Sequence, residues 1–539
     1  MSDWAKKQKE RQRQIKQAGL GSKSHKWLYL LVLIIGLGLP LVGLGAYFYQ
    51  NYEPKTELEV AGNIIIVRKG GDFQAALNRA KAGDTIQLEA GSTFKGSFVL
   101  PKKDGNQFIT IQSSEVAKLP KENVRINPKD APLMPKVVTF GKNEPVLKTV
   151  AGSHHFRFIG VEFSVSTPQD EAWKLITIGD DEQKSLEQVP NNIVFDRCYI
   201  HAHLQQTGRV RSGISINGSK IEILNSYLSG FRLPDDEGHA IVAWNAPGPF
   251  RIINNYIEAA GINVLFGGAW AYKGMNPADL EFRYNYLSKH LEWRGKQKVK
   301  NLFELKDMRR AIIEENVMEN NWASGQDGTA ILFTPASFQS GPDARVEDVV
   351  FRSNIVRRTA NAITMTGTDY GDKNYPNIPV QNSRVKFENN LFSEVSRKFG
   401  DGSSGKFLLL TSGAGPDDLV FNHNTIENEG TLIYFDSGPH NNFTFTNNTA
   451  NHNEYGVFAS GKLGSGIGTL GLQKYAKKYL FKKNVIVGAN ASQYPTDNFY
   501  VSTLGNINNY KGKGTDGKDL GADILMLKEM EKKVMAGIR

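Results

Sequence analysis

One polar residue type returns at the same place in a repeated strand, and this feature limits the chain to a stack of coils. The segments NIVFDRCYI, KIEILNSYL, PFRIINNYI, DLEFRYNYL, RAIIEENVM, DVVFRSNIV, RVKFENNLF, DLVFNHNTI, NFTFTNNTA and KYLFKKNVI align on one column. It reads Cys198, Ser226, Asn255, Asn285, Asn316, Asn354, Asn390, Asn424, Asn448 and Asn484, at intervals of 24 to 38 residues. A second strand recurs between these units, as in HAIVAWN, KNLFELK, GTAILFT and NAITMTG. A fixed strand core with variable spacing describes a solenoid. Each coil buries its apolar residues on its neighbours, and extra length goes into loops. Asn suits a bend because it tolerates unusual φ and its side chain bonds locally. Stacked amides also bond along the axis. At about 4.8 Å per coil, ten coils give a rod of roughly 50 Å.

The ends read differently. In GGDFQAALNRAKAGDTIQL, residues Phe73, Ala76, Leu77 and Ala80 share one helical face, with Asp72 to cap the start and Gly83 the end. That helix is expected to cover the first coil's open edge. The C-terminal GADILMLKEMEKKVMAGIR places Ile524, Leu525, Leu527, Met530 and Val534 as an apolar set, expected to cover the far edge. A partner-binding helix is the other reading of that segment.

Before the coils, residues 27–49 (WLYLLVLIIGLGLPLVGLGAYFY) carry no charge. About 20 apolar residues cross a bilayer core, and Trp27, Tyr29, Tyr47 and Tyr49 lie near the ends, where such rings favour the interface. Residues 1–26 hold eight Lys/Arg and two acids, a net +6, so the remaining chain carries only +4 of the total +10. This predicts an anchor in the inner membrane, with a cleaved signal peptide as the other reading, and puts the tail in the cytoplasm and the coils outside. It leaves no basic stripe for nucleic acid on the body. A single Cys198 excludes an internal disulfide framework and a cysteine metal cluster. The expected organisation is a basic tail (1–26), an anchor (27–49), a linker (50–62), an all-β parallel β-helix (63–525) and a helical tail (526–539).

The entry segment FQAALNRAKAGDTIQLEAGSTFKG, the Asn column and the late TDGKDLGADI resemble the right-handed, single-stranded parallel β-helix of the pectin-lyase-like superfamily, over about residues 62–525. More closely, the chain resembles uncharacterised bacterial right-handed β-helix-repeat proteins. The resemblance implies ten or more coils, an N-terminal cap helix and long sugar chains as ligands. KNLFELKDMRRAIIEENVMENNWASGQDGTAILFT resembles the stretch of chondroitinase-B- and alginate-lyase-like enzymes in which a Glu-containing strand carries the catalytic Lys. Glu304 and Lys306 match it loosely. Phe333 and Thr334 stand where those enzymes carry Arg-His. The resemblance therefore implies either lyase-like β-elimination of an acidic polysaccharide or a non-catalytic binding, scaffold or membrane-complex protein.

The residues richest in chemistry lie between Leu233 and Lys306. A lyase needs a cation or amide on the uronate carboxylate, a base for the α-proton and an acid for the leaving oxygen. Candidate catalytic residues are Lys306, Glu304 and Lys300. Candidate sugar contacts are Asn263, Asn245, His239, Trp244, Trp270 and Trp293, with Trp322 in a similar turn. No cofactor is required by the pattern, but Asp235, Asp236 and Glu237 could hold Ca²⁺. Each has a plainer reading: a solvated acidic turn, a structural histidine, tryptophans packing loops. If the strands stack as aligned, Asn245, Gly268 and Lys306 share a column. Glu304 then joins the apolar series of Ile216, Ala243, Phe266, Phe333 and Met365, unless the register slips by one.

Overall fold

The computed structural model describes residues 58–205, 209–368, 381–411, 413–505 and 507–539, all within one compact unit, Thr56–Arg539. The tail, the 27–49 segment and most of the linker lie outside the described residues. Among those described, no helix is long and apolar enough to cross a membrane.

The body is a right-handed parallel β-helix. Its strands form three sheets of 15, 14 and 13 strands, and successive strands of each sheet come from successive coils. We call these the first, second and third sheets. Pairing is parallel except at the ends. Glu59–Ala61 closes the start antiparallel to Ile64–Val67, and Gly466–Ile467 pairs antiparallel with Val457–Ala459. The expected cap helix runs Phe73–Arg79 and buries Phe73, Ala76 and Leu77. The Asp72 carboxylate accepts from the Ala75 N–H at 3.0 Å. The helix ends at Ala80, and Gly83 turns the chain three residues later with φ 92°.

The core is a set of apolar lines. On the first sheet, Phe158 stacks on Phe195 with ring centroids 5.2 Å apart, and Phe387 on Phe421 at 4.9 Å. Beside them runs the amide ladder. The Asn285 N–H donates to the Asn316 Oδ1 at 2.8 Å, Asn316 to Asn354 at 3.0 Å, Asn354 to Asn390 at 2.9 Å, and so on to Asn484. Asn484 then donates to Asn498, a final rung the alignment missed. All ten aligned positions are fully buried. The left-handed backbone does not fall on the ladder itself. It falls one residue earlier, on Asn225, Asn254, Tyr284, Glu315, Ser353 and Asn389, with φ of 51–59°. The Asn column is therefore held by hydrogen bonding, and its predecessor makes the bend.

The C-terminal helix, Ile524–Ala536, does not cover the far edge. It lies on the flank of the second sheet, where Leu527, Met530 and Val534 pack on Val317 and Ile355. Asp523 N–H donates to Asn389 Oδ1 at 2.7 Å, and Arg125 N–H to Gly537 O at 2.7 Å. The apolar stripe faces coils rather than an end, so the segment folds back toward the N-terminus as a lengthwise strap. Val534→Ala should lower stability by about 2 kcal/mol, read as a shift in the denaturant midpoint.

Candidate functional site

The outer face of the third sheet carries the residues of interest. Strand register pairs Glu304 with Leu332, Leu332 with Thr364, Thr364 with Leu409, and Leu409 with Tyr434. Two residues further along each strand, a second row runs Lys306, Thr334, Thr366, Thr411 and Asp436. A cavity of about 670 Å³ opens over the second row and over the first from Leu332 onward, with Glu304 buried beneath its head, and is also lined by Gln339, Asp327 and Lys406. Side chains alternate across a strand, so one face of five successive coils supplies this floor.

Glu304 is not in the apolar interior series. Leu305 pairs with Phe266 and Phe333 and takes that place. At this corner Leu302 and Phe303 both enter the core, as Ala330 and Ile331 or Ala362 and Ile363 do on the following coils, so alternation counted from Leu302 is out of step by one. The same shift puts Trp244, Gly267 and Lys306 in one row, rather than Asn245, Gly268 and Lys306. Glu304 thus faces the groove side, yet it is fully buried and neither carboxylate oxygen has a hydrogen-bond partner. Lys306 Nζ lies 3.5 Å from Glu304 Oε1, an ion-pair distance without hydrogen-bond geometry, and donates to Gln339 Oε1 at 3.0 Å. Burial raises the Glu304 carboxyl above its ordinary range, against the pull of Lys306 and Lys300.

The acidic turn sits beside this pair and is occupied by cations. Lys300 Nζ lies 2.5 Å from Glu237 Oε2, and Arg211 lies 3.6 Å from Asp236 and 3.7 Å from Glu237. Burial opposes ionisation of Glu237, but His239 and Lys300 outweigh it and hold its carboxyl below the usual range. Asp235 is exposed. Among the described residues no group of three or more His, Cys, Asp or Glu side chains that could hold a metal ion is found. Lys300 is spent on Glu237. His239 is buried, its ring within 3.4 Å of Ser212 Oγ and 3.7 Å of Glu237, and burial lowers its proton affinity.

Two of the asparagines serve the scaffold instead. Asn263 is fully buried. Its amide N–H groups go to Ile257 O and Ser288 O, and its oxygen accepts from Lys289 Nζ at 2.6 Å. Lys289, which sequence reasoning missed, is itself buried among the carbonyls of Ala259, Gly261 and Asn301. Asn245 is buried and ties down the preceding loop through Gln183 O at 2.8 Å. Trp293 and Trp322 pack with Val299, Ala360 and Phe399 in a small separate core. Trp244 is half-buried under Lys174 Nζ, 4.6 Å from its ring centre, and Trp270 is 47 % exposed. The groove's Thr364, Thr366 and Thr411, with Lys406, Tyr434, Asp436 and Gln339, lay outside the sequence reading. Only correct strand stacking reveals them.

Directly behind Lys306, Asp307 is buried and accepts from Asn276 Nδ2 at 2.6 Å and the Arg345 N–H at 3.0 Å. Burial pushes its carboxyl up to about 7. An acid whose folded proton affinity is raised stabilises the fold most when protonated. Its contribution is present below the ordinary Asp range near ~3.9 and lost as pH rises through about 7. The stability difference between wild type and Asp307→Asn should therefore fall across that window in denaturation at stepped pH. A flat difference would contradict it.

No known family model and no curated protein matches the chain. Among solved structures it is similar to a mannuronic-acid-specific polysaccharide family 6 lyase from human gut microbiota (11% identity, 88% of this chain and 99% of that one, TM-score 0.44). It is also similar to an alginate lyase from Paenibacillus (15%, 70% and 95%, TM-score 0.35). A third similarity is to a tailspike of E. coli bacteriophage HK620 in complex with pentasaccharide (11%, 86% and 74%, TM-score 0.44). At these TM-scores the likenesses assign no residue of this chain a role.

Proposed function

We propose that this protein binds an acidic polysaccharide lengthwise along the outer face of its third sheet, with Lys306 meeting a sugar carboxylate. The observation that carries this is the Glu304–Lys306 pair at the head of the groove. A fully buried carboxyl without a hydrogen-bond partner is costly to stability, and perturbed acids of this kind concentrate at functional sites. The groove below it is long, open and floored by hydroxyls, as an extended sugar chain requires. Lys306 can also supply the cation that β-elimination needs on a uronate carboxylate, a reaction in which the α-proton passes to a base, the C=C bond forms and the bond to the leaving sugar oxygen breaks as that oxygen is protonated. Glu304, fully buried behind Lys306, sets the position of that cation.

A specific observation favours binding without turnover. Phe333, on the next coil, is in the core, and Thr334 beside it offers no ionisable group for a leaving oxygen. Titration of the full chain with uronic-acid polymers and with neutral polymers tests the main reading. Binding of the acidic class alone is expected, and equal binding of neutral polymers would reject it. Ultraviolet absorbance from unsaturated uronate products separates elimination from simple binding.

We propose in addition that residues 27–49 anchor the chain in the inner membrane, with the coils on the outer side. The uncharged run and the basic tail before it support this. Protease added to intact spheroplasts should remove the coils and spare the tail. Protection of the coils would reject that orientation.

A further inference from the structure

The charges along the groove are unequal, and they speak to the kind of polymer. The row that begins at Lys306 continues as Thr334, Thr366 and Thr411 and ends at Asp436. Four coil steps separate Lys306 from Asp436, about 19 Å at about 4.8 Å each. Along that distance the two rows offer hydroxyl groups and the apolar faces of Leu332 and Leu409, and the one further cation in the lining, Lys406, enters from the side beside the Asp327 carboxylate. The far end is acidic. Asp436 accepts from Thr411 Oγ1 at 3.2 Å and from Tyr434 OH at 3.4 Å, and its side chain is open to solvent. Asp327 adds an exposed carboxylate to the lining. Lys406 reaches the groove half-buried, and its ammonium is bonded to Ser403 O.

A chain with a carboxylate on every sugar would place one against Lys306 and others against hydroxyls and Asp436. Like charges opposed in a groove weaken binding and act against the wrong ligand. We infer that the groove selects a heteropolysaccharide in which an acidic sugar is followed by neutral ones, and disfavours a homopolymer of uronic acid. This rests on the reading that the groove binds an acidic polysaccharide. Lys306 takes the acidic sugar. The threonine hydroxyls, which donate and accept, pair with the hydroxyls of the neutral sugars. Asp436 accepts from a sugar hydroxyl at the far end.

The test is calorimetric titration of the full chain in detergent with three probes: a homopolyuronate, a copolymer with one uronate per repeat of neutral hexoses, and a neutral hexose polymer. The copolymer is expected to bind about tenfold more tightly than the homopolyuronate. Asp436→Asn, a substitution at an exposed position, should narrow that gap from both sides, improving the homopolyuronate by removing the opposed charge and weakening the copolymer by removing the carboxylate that accepts from its far sugar. A homopolyuronate that binds as well as the copolymer overturns the inference and leaves the proposed function standing. So does a gap that Asp436→Asn does not alter. Failure of every probe, or equal binding of the neutral polymer, overturns both.

Discussion

Asn354→Ala is expected to destabilise the rod by about 3–5 kcal/mol, enough to threaten soluble expression. The Asn354 side chain donates to Ile313 O at 2.9 Å, Arg352 O at 3.0 Å and Asn390 Oδ1 at 3.1 Å, and its oxygen accepts from both nitrogens of Asn316. Alanine removes all of these in a site closed to water. Each buried group left unpaired costs about 1–3 kcal/mol. The loss also falls between coils, where a solenoid draws its cooperativity. Urea unfolding followed by circular dichroism reads it as a fall in midpoint. Cys198→Ala, at the ladder's first position, should cost far less. The thiol there makes only long contacts, 3.5 Å to Asp196 O and 3.7 Å to Phe158 O. Equal costs at the two positions would show that the amides do not hold the coils together.

The second large effect concerns Glu304 and Lys306, where stability and function should move in opposite directions. Lys306→Ala should weaken binding of acidic polymers about tenfold or more, and should lower any elimination by about 10²–10⁴-fold. Glu304→Gln should stabilise the protein by about 1 kcal/mol near neutral pH, because it removes from a fully buried place an ionisable carboxyl that has one ion-pair partner and no hydrogen bond. The same change should impair binding through the altered setting of Lys306. The pH dependence separates this from simple repacking. Burial raises the folded-state proton affinity of Glu304, so its contribution is fully present below the ordinary Glu range near ~4.3. It is lost as pH rises above that range. Wild type minus Glu304→Gln should show this decline. A difference constant with pH would mean that Glu304 does not titrate as its burial dictates.

The coil architecture was open to reading because one amide per turn cannot be placed at random. Its neighbours, Phe195, Ile223 and Phe282 among them, repeat with it. The groove was harder. At Leu302 and Phe303 two consecutive residues enter the core, so strict alternation counted from Leu302 sends Glu304 inside. Asn245 and Asn263 attracted attention as polar residues in apolar strands, but both satisfy backbone groups at corners, a need invisible without the fold. Thr366, Thr411 and Asp436 carry no motif. They become a surface only when three distant strands are laid side by side.

The strap fixes a length. Its helix, 13 residues from Ile524 to Ala536, measures about 20 Å at about 1.5 Å per residue. It runs from Asn389 to the Arg125–Asn254 corner. Between Asn254 and Asn389 the bend residues Tyr284, Glu315 and Ser353 intervene, four steps or about 19 Å. Helix and stack thus act as two rulers laid against each other. An evolutionary duplication of one repeat inside this stretch would leave the helix one notch short, so the middle of the rod is closed to growth while its loops remain free to vary.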